Sequence, residues 1–317
     1  MPKRSAARPA GPVLVLVALA LLPLAALLLG GSPVGPARSG GSPPPFGAAP
    51  VAHAAEAEPA AVPLLVGHRG AAGHAPENTL AAARAAADLG VSWVETDVQR
   101  TADGVLVLVH DTTLDRTTDV EERFPDRAPW RVSDFTAAEI ATLDAGSWFG
   151  AAFAGERVPT LSDWLRALEA RGQRLLLELK APDRYPGIEE EVLAELERHG
   201  WLAGRPGERL VIQSFDAESV RTVHRLAPGV ETGFLGSPDP ADLPAYAGFA
   251  DQINPDHRDL TAGYVAGVRG HTGPHGRPLK VFTWTVDDAA AAVAVADLGV
   301  DGIISDVPDL VREALTG

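Results

Sequence analysis

From residue 64 onward, short runs of apolar and β-branched residues alternate with longer runs whose apolar positions recur at helical spacing. Strand-like runs fall near 64–67, 92–98, 174–179, 209–213, 230–235, 249–253, 280–285 and 302–305. Helix-like runs lie between them at 79–89, 161–171, 188–199, 216–226 and 287–298. Residues 255–279, rich in Gly and His, predict a helix near 260–268 and then loop. Eight strands alternating with helices predict an α/β fold, a closed (β/α)8 TIM barrel. An open doubly wound sheet is the alternative, but no glycine-rich phosphate fingerprint follows the first strand. A ninth run, 105–109, follows the turn signal Ala102-Asp103-Gly104 and predicts a hairpin with the second strand. The segment 111–159 is too long for a plain connection and predicts a small cap inserted after that strand, over the barrel mouth.

The polar exceptions to this pattern are the informative positions. The run 92–98 is apolar enough to be buried, yet carries Glu95 and Asp97, which alternation puts on one face. A hairpin turning near Asp103 brings His110 back beside them. Two like charges in an apolar wall need a cation or firm hydrogen bonds, and hard oxygen ligands suit Mg²⁺ or Ca²⁺. An exposed edge hairpin with solvated acids is the plainer alternative. The first strand ends in His68-Arg69-Gly70, where a lone histidine would be structural but a His-Arg pair near carboxylates suits phosphate chemistry. Lysine occurs only at positions 3, 180 and 280, and Lys180 sits two residues from Glu178 on one strand face. A local ion pair is the alternative there. His68, Glu95, Asp97, Glu178 and Lys180 all fall at C-terminal strand ends, where barrel enzymes gather their active residues.

Composition changes the picture at the N-terminus. Lys3, Arg4 and Arg8 precede an apolar run from Val13 to Leu29, followed by a Gly/Pro/Ser/Ala tract to about Ala55. This is the form of an export signal, and the expected location is extracytoplasmic. Because no small-residue cleavage site follows closely, an uncleaved membrane anchor on a flexible stalk stays open. Residues 1–55 are thus read as leader or anchor plus linker, and 56–317 as the barrel. The absence of cysteine excludes disulfides, a thiol nucleophile and a thiolate metal site. Beyond residue 54 there are 23 Lys and Arg against 42 Asp and Glu, a balance of −19. Such a surface repels nucleic acid, and an anionic substrate needs a local cationic patch.

Taken together, His68-Arg69-Gly70, Pro76-Glu77-Asn78-Thr79, Glu95-Thr96-Asp97-Val98, Asp103-Gly104, His110-Asp111, 113–118 and Glu178-Leu179-Lys180 resemble the glycerophosphodiester phosphodiesterase family. Gln213-Ser214-Phe215, Asn254-Pro255, Trp284-Thr285-Val286 and 299–306 fit as well. The resemblance spans about 64–315, with small departures at Arg100 and Ser305. It implies metal-dependent hydrolysis of a glycerophosphodiester to glycerol 3-phosphate and an alcohol. Glu95, Asp97 and Glu178 would hold one divalent cation, Ca²⁺ or Mg²⁺. His68 and His110 would share general acid and base roles, with Arg69 and Lys180 binding the phosphate and stabilising its charge. The family is thought to attack first with a glycerol hydroxyl through a cyclic phosphate; direct water attack stays open.

Trp284 and, in the cap, Trp148 and Phe149 are the candidate walls for the substrate, with simple packing as the alternative for each. His257, His271 and His275 are spaced too irregularly to suggest a second metal site. A lysophospholipase D-type activity on the same barrel is the second enzymatic reading. A secreted binding protein that has lost catalysis is the third. If 1–55 is separate from the fold, a chain beginning at Glu56 should be soluble and fully active; insolubility of that shortened chain would place the segment within the fold.

Overall fold

The computed structural model describes residues 62–317. The expected leader or anchor at 1–55 lies outside the described residues. The strands are β1 (Leu64–Gly67), β2 (Trp93–Arg100), β3 (Leu106–Leu108), β4 (Arg174–Leu179), β5 (Leu210–Ser214), β6 (Glu231–Leu235), β7 (Gln252–Asn254), β8 (Lys280–Thr283) and β9 (Gly302–Ser305). All but β3 pair in parallel in the order β1-β9-β8-β7-β6-β5-β4-β2, and β1 pairs with β2, which closes the barrel. β3 runs antiparallel to β2, with Val98 opposite Leu108, as the hairpin predicts.

Strand alternation sorts the side chains into two layers. One set, Val66, Trp93, Leu176, Val211, Phe282 and Ile304, packs together inside the barrel. The other set, including Val94, Val98, Leu175, Leu177 and Ile212, packs outward beneath the helices. Helix Leu161–Glu169 is set by a capping box: the Thr160 hydroxyl accepts from the Asp163 amide at 3.1 Å, and the Asp163 carboxylate accepts from the Thr160 amide at 3.2 Å. Its buried face is Leu161, Trp164, Leu165 and Leu168. At the N-terminal end of the barrel one polar exception is Glu231, buried and paired with Lys280 at 2.9 Å and with Arg277. Among the described residues no helix is long and apolar enough to cross a membrane.

The expected strand at 249–253, which corresponds to β7, is shifted. Phe249 and Ala250 are buried, but they pack beside Val220 after the short helix Leu243–Tyr246, and the strand begins at Gln252. Burial there is against a helix rather than in the sheet, which hydrophobicity alone does not distinguish. The helix expected near 260–268 is Ala262–Arg269. A last helix, Pro308–Thr316, completes the eighth unit, with Pro308 in its first turn. The inserted segment 111–159 has its own core of Leu114, Val120, Val132, Phe135, Ile140 and Leu143, continuous with Val107 and Val109 of the hairpin.

Gly67 carries the handover from β1 to the loop beyond it. A Cβ there would lie 2.0 Å from the Gly70 carbonyl oxygen, so only glycine lets the chain fold back so tightly. Gly67→Ala should destabilise the protein by about 1–3 kcal/mol or more, the usual scale of overpacking, measured by urea unfolding. Unchanged stability would mean the turn relaxes without strain.

Candidate active site

The site is built on adjacent strand ends. Asp97 on β2 lies opposite Glu178 on β4, and Glu95 is one inward position below Asp97. Glu95, Asp97 and Glu178 are all buried, and each offers a carboxylate oxygen within 4.8 Å of the others. Burial and repulsion from Asp97 push Glu178 up to about 8, with Lys180 opposing, and the same causes push Glu95 well above the usual carboxylate range. Asp97 goes the other way. Burial works against its charge, but Lys180, Arg69 and His110 together hold it ionised. Three buried oxygen donors whose own repulsion is only partly neutralised suit a hard divalent cation. Among the described residues this is a group of acids that could hold a metal.

Two cations border the triad. Lys180 Nζ donates to Glu178 at 2.8 Å and lies 3.4 Å from Asp97. Burial opposes its charge, but Asp97 and Glu178 outweigh burial and keep it protonated. Arg69 takes the left-handed conformation (φ 50°), and its amide donates to Glu95 at 2.9 Å. Its guanidinium donates to Glu77 at 2.7 Å, while its Nε, 3.6 Å from Asp97, has no hydrogen-bond partner.

Each histidine is braced by an aspartate. His68 Nδ1 lies 2.7 Å from Asp306, and its Nε2 is 3.9 Å from Glu95. His110 Nδ1 lies 2.7 Å from Asp111. A carboxylate at Nδ1 favours the proton there and leaves Nε2 free for the cleft. Burial, helped by Arg69 and Lys180, lowers the His110 pKa despite Asp97, so the ring is neutral at neutral pH. The Asp111 carboxylate also accepts from Arg116 of the insertion, which forms a fork on Glu77 at 2.7 Å. Arg116 thereby joins the bracing of His110 to that of Arg69.

His68, Arg69, Glu95, His110, Glu178 and Lys180 line one cleft of about 90 Å³. Trp284 lines it as well, its indole held by the Asn254 carbonyl at 2.8 Å and set edge-on to Phe215 with centroids 5.5 Å apart. Phe149 does not. It is absent from the cleft lining, and its ring packs edge-on to Trp148 and Phe153 in the insertion at 5.6 and 5.4 Å. The Phe149 ring is thus half-buried among aromatic neighbours of its own loop. A fully buried residue outside the expected set, Asn78, donates to Asp97 at 2.9 Å and accepts from the Thr96 hydroxyl at 2.6 Å. Its left-handed φ of 56° suits asparagine. Asp306, Asp111, Glu77, Arg116 and Phe215 also stand outside that set. The available signal was position: each follows a strand or belongs to a loop beyond one.

A closed barrel with acids, braced histidines and buried cations at the C-terminal ends of its strands defines an enzyme equipped for acid–base chemistry on an anionic substrate. The sequence profile of the glycerophosphoryl diester phosphodiesterase family matches residues 68–310, and the chain belongs to that family. A glycerophosphodiester phosphodiesterase of Caldanaerobacter subterraneus is 36% identical over 250 residues, covering 78% of this chain and 95% of that protein. One from Bacillus subtilis is 35% identical over 270 residues, covering 80% and 87%. A phosphodiesterase of Oleispira antarctica, solved with its product sn-glycerol-3-phosphate, superposes with a TM-score of 0.68 at 29% identity, covering 81% of this chain and 98% of that one.

His68 holds the Asp306 carboxyl below the usual carboxylate range despite burial. A depressed folded-state pKa contributes stability above the unfolded value of about 3.9, and that stability is lost as pH falls through the folded value. Asp306→Asn should therefore lose less stability than the wild type between about pH 5 and pH 3, read from urea unfolding at each pH. Parallel pH curves for the two proteins would show that the His68–Asp306 pair contributes nothing.

Proposed function

We infer that this chain hydrolyses glycerophosphodiesters to glycerol 3-phosphate and an alcohol. The observation that carries the reading is the convergence of two aspartate-braced histidines, two cations, Glu95 and Glu178 in one cleft of a family barrel, with Asp97 buried beside the two glutamates. Glu95, Asp97 and Glu178 are the residues that would hold a divalent cation, Ca²⁺ or Mg²⁺. When bound, such a cation supplies a Lewis acid for a phosphoryl oxygen.

The remaining work falls to the chain's own side chains. His110, neutral at neutral pH, can take a proton at Nε2 from an attacking hydroxyl. His68, with Nδ1 held by Asp306, can hold a proton at Nε2 for the departing alkoxide. The two roles exchange if the reaction proceeds in two steps. Arg69 and Lys180 stay charged and, together with a bound cation, would supply the cationic patch that an anionic substrate needs. Trp284 and Phe215 form an apolar wall beside them. An extracytoplasmic location is part of the proposal and is supported by the basic and then apolar N-terminus. Appearance of the intact protein only in the cytosolic fraction would overturn it.

Choline release from glycerophosphocholine and from lysophosphatidylcholine, with and without chelator, tests the central reading. Release from the deacylated substrate should disappear with chelator and return with Ca²⁺ or Mg²⁺. Preferred cleavage of the monoacyl lipid would favour the lysophospholipase D reading, and chelator-resistant activity would remove the metal site. His68→Ala and His110→Ala should each lower turnover by ~10²-fold or more while leaving the thermal midpoint nearly unchanged. Lys180→Met should lower kcat far more than it raises KM at saturating metal, since interactions made only in the transition state act on kcat. If Lys180 serves only to pair with Glu178 and Asp97, Lys180→Met should change metal affinity or stability and leave metal-saturated kcat intact.

A further inference from the structure

The inward-facing side chains of β2 form a single row, Trp93, Glu95, Asp97 and Gln99, each of them buried. Trp93 packs inside the barrel, and the two acids belong to the carboxylate cluster. Gln99 has no part in the proposed chemistry and does not line the cleft. Its surroundings are nonetheless specific. The side-chain amide nitrogen donates to the carbonyls of Val109 at 2.7 Å and Asp111 at 2.6 Å, with the His110 carbonyl at 3.4 Å. The amide oxygen accepts from the Tyr185 hydroxyl at 2.9 Å.

Carbonyl oxygens accept only from the nitrogen end of that amide, which fixes its orientation and leaves the amide oxygen to accept from the Tyr185 hydroxyl. Tyr185 is itself buried, on the segment that follows Lys180, and burial pushes its phenol up to about 12, so it remains a donor. The carbonyls that Gln99 gathers flank His110, just past the end of β3 at Leu108, where the regular ladder stops. A side chain takes over from the strand at the point where the chain must deliver a histidine.

We propose that Gln99 and Tyr185 are a pair of positioning residues that fix the 109–111 backbone and, through it, the place of the His110 ring in the cleft. The proposal rests on His110 acting in the hydrolysis. Tyr185 ties this segment to the loop beyond β4, so the segments that carry His110 and follow Lys180 are held in one frame. A pair that served stability alone would move the unfolding midpoint and leave the chemistry of correctly folded enzyme untouched.

The test is steady-state hydrolysis of glycerophosphocholine at saturating divalent metal, with thermal unfolding of every variant. Tyr185→Phe removes one hydroxyl and keeps the ring; Gln99→Met keeps the volume and removes the donors. Each is made alone and combined with His110→Ala. Each alone should lower kcat by about tenfold, the kinetic equivalent of one hydrogen bond, with KM changed by less than about twofold. In the His110→Ala background neither should lower the residual rate further, because the residue they position is gone. Wild-type kcat in both single variants, or full additivity with His110→Ala, would overturn the proposal. Wild-type turnover in His110→Ala alone would instead overturn the acid–base reading on which the proposal rests. If Gln99→Met fails to fold, Tyr185→Phe decides the question by itself.

Discussion

Three carboxylates sharing one buried pocket is the condition around which the rest of the site is arranged. Left alone, Glu95, Asp97 and Glu178 would protonate or force the strands apart. Asp97 escapes this because it has the most partners: Lys180 and Arg69 nearby, and Asn78 donating to it directly. Glu95 and Glu178 are less well compensated, which is why their pKa values move upward while that of Asp97 falls. The asymmetry assigns different local roles to similar groups. Asp97 is a fixed anion around which the cations organise, and the two glutamates carry charge that a bound metal would complete.

The strained and braced elements around the pocket follow from that arrangement. Arg69 and Asn78 both adopt the left-handed backbone region that L-residues generally avoid, and both point polar groups at Asp97 or Glu95. Glu77 is held by Arg69 on one side and by Arg116 of the insertion on the other, so the inserted segment is electrostatically continuous with the barrel end. Apolar packing and charge thus act on different parts of the insertion. Its own core gives it shape, and Asp111 with Arg116 gives it a connection to the chemistry.

The barrel was legible because both periodicities were clean. Alternation predicted the pairing of Glu95 with Asp97, and the glycine turn after Asp103 predicted the return of His110. Where burial had another cause, sequence pattern misplaced the residue. Phe249 and Ala250 look like strand residues but are buried against a helix. The partners that tune the site were harder to recover, since Asp306 and His68 lie 238 residues apart in sequence and only closure of the barrel brings them together. Asn78 was visible within a motif, but its function as a donor to Asp97 depends on a backbone conformation that spacing alone does not encode.

Along β2, the row Trp93, Glu95, Asp97, Gln99 contributes, in order, an interior packing group, two acids of the cluster and a tether for the returning chain. Strand alternation makes them inseparable: sliding β2 by one residue would turn all four out together and bring Val94, Thr96 and Val98 inward. Substitutions can alter these positions one at a time, but a single-residue insertion or deletion inside the strand would either shift the whole row or force a bulge into it. Changes of length should therefore be tolerated far better in the loops around the barrel than along β2.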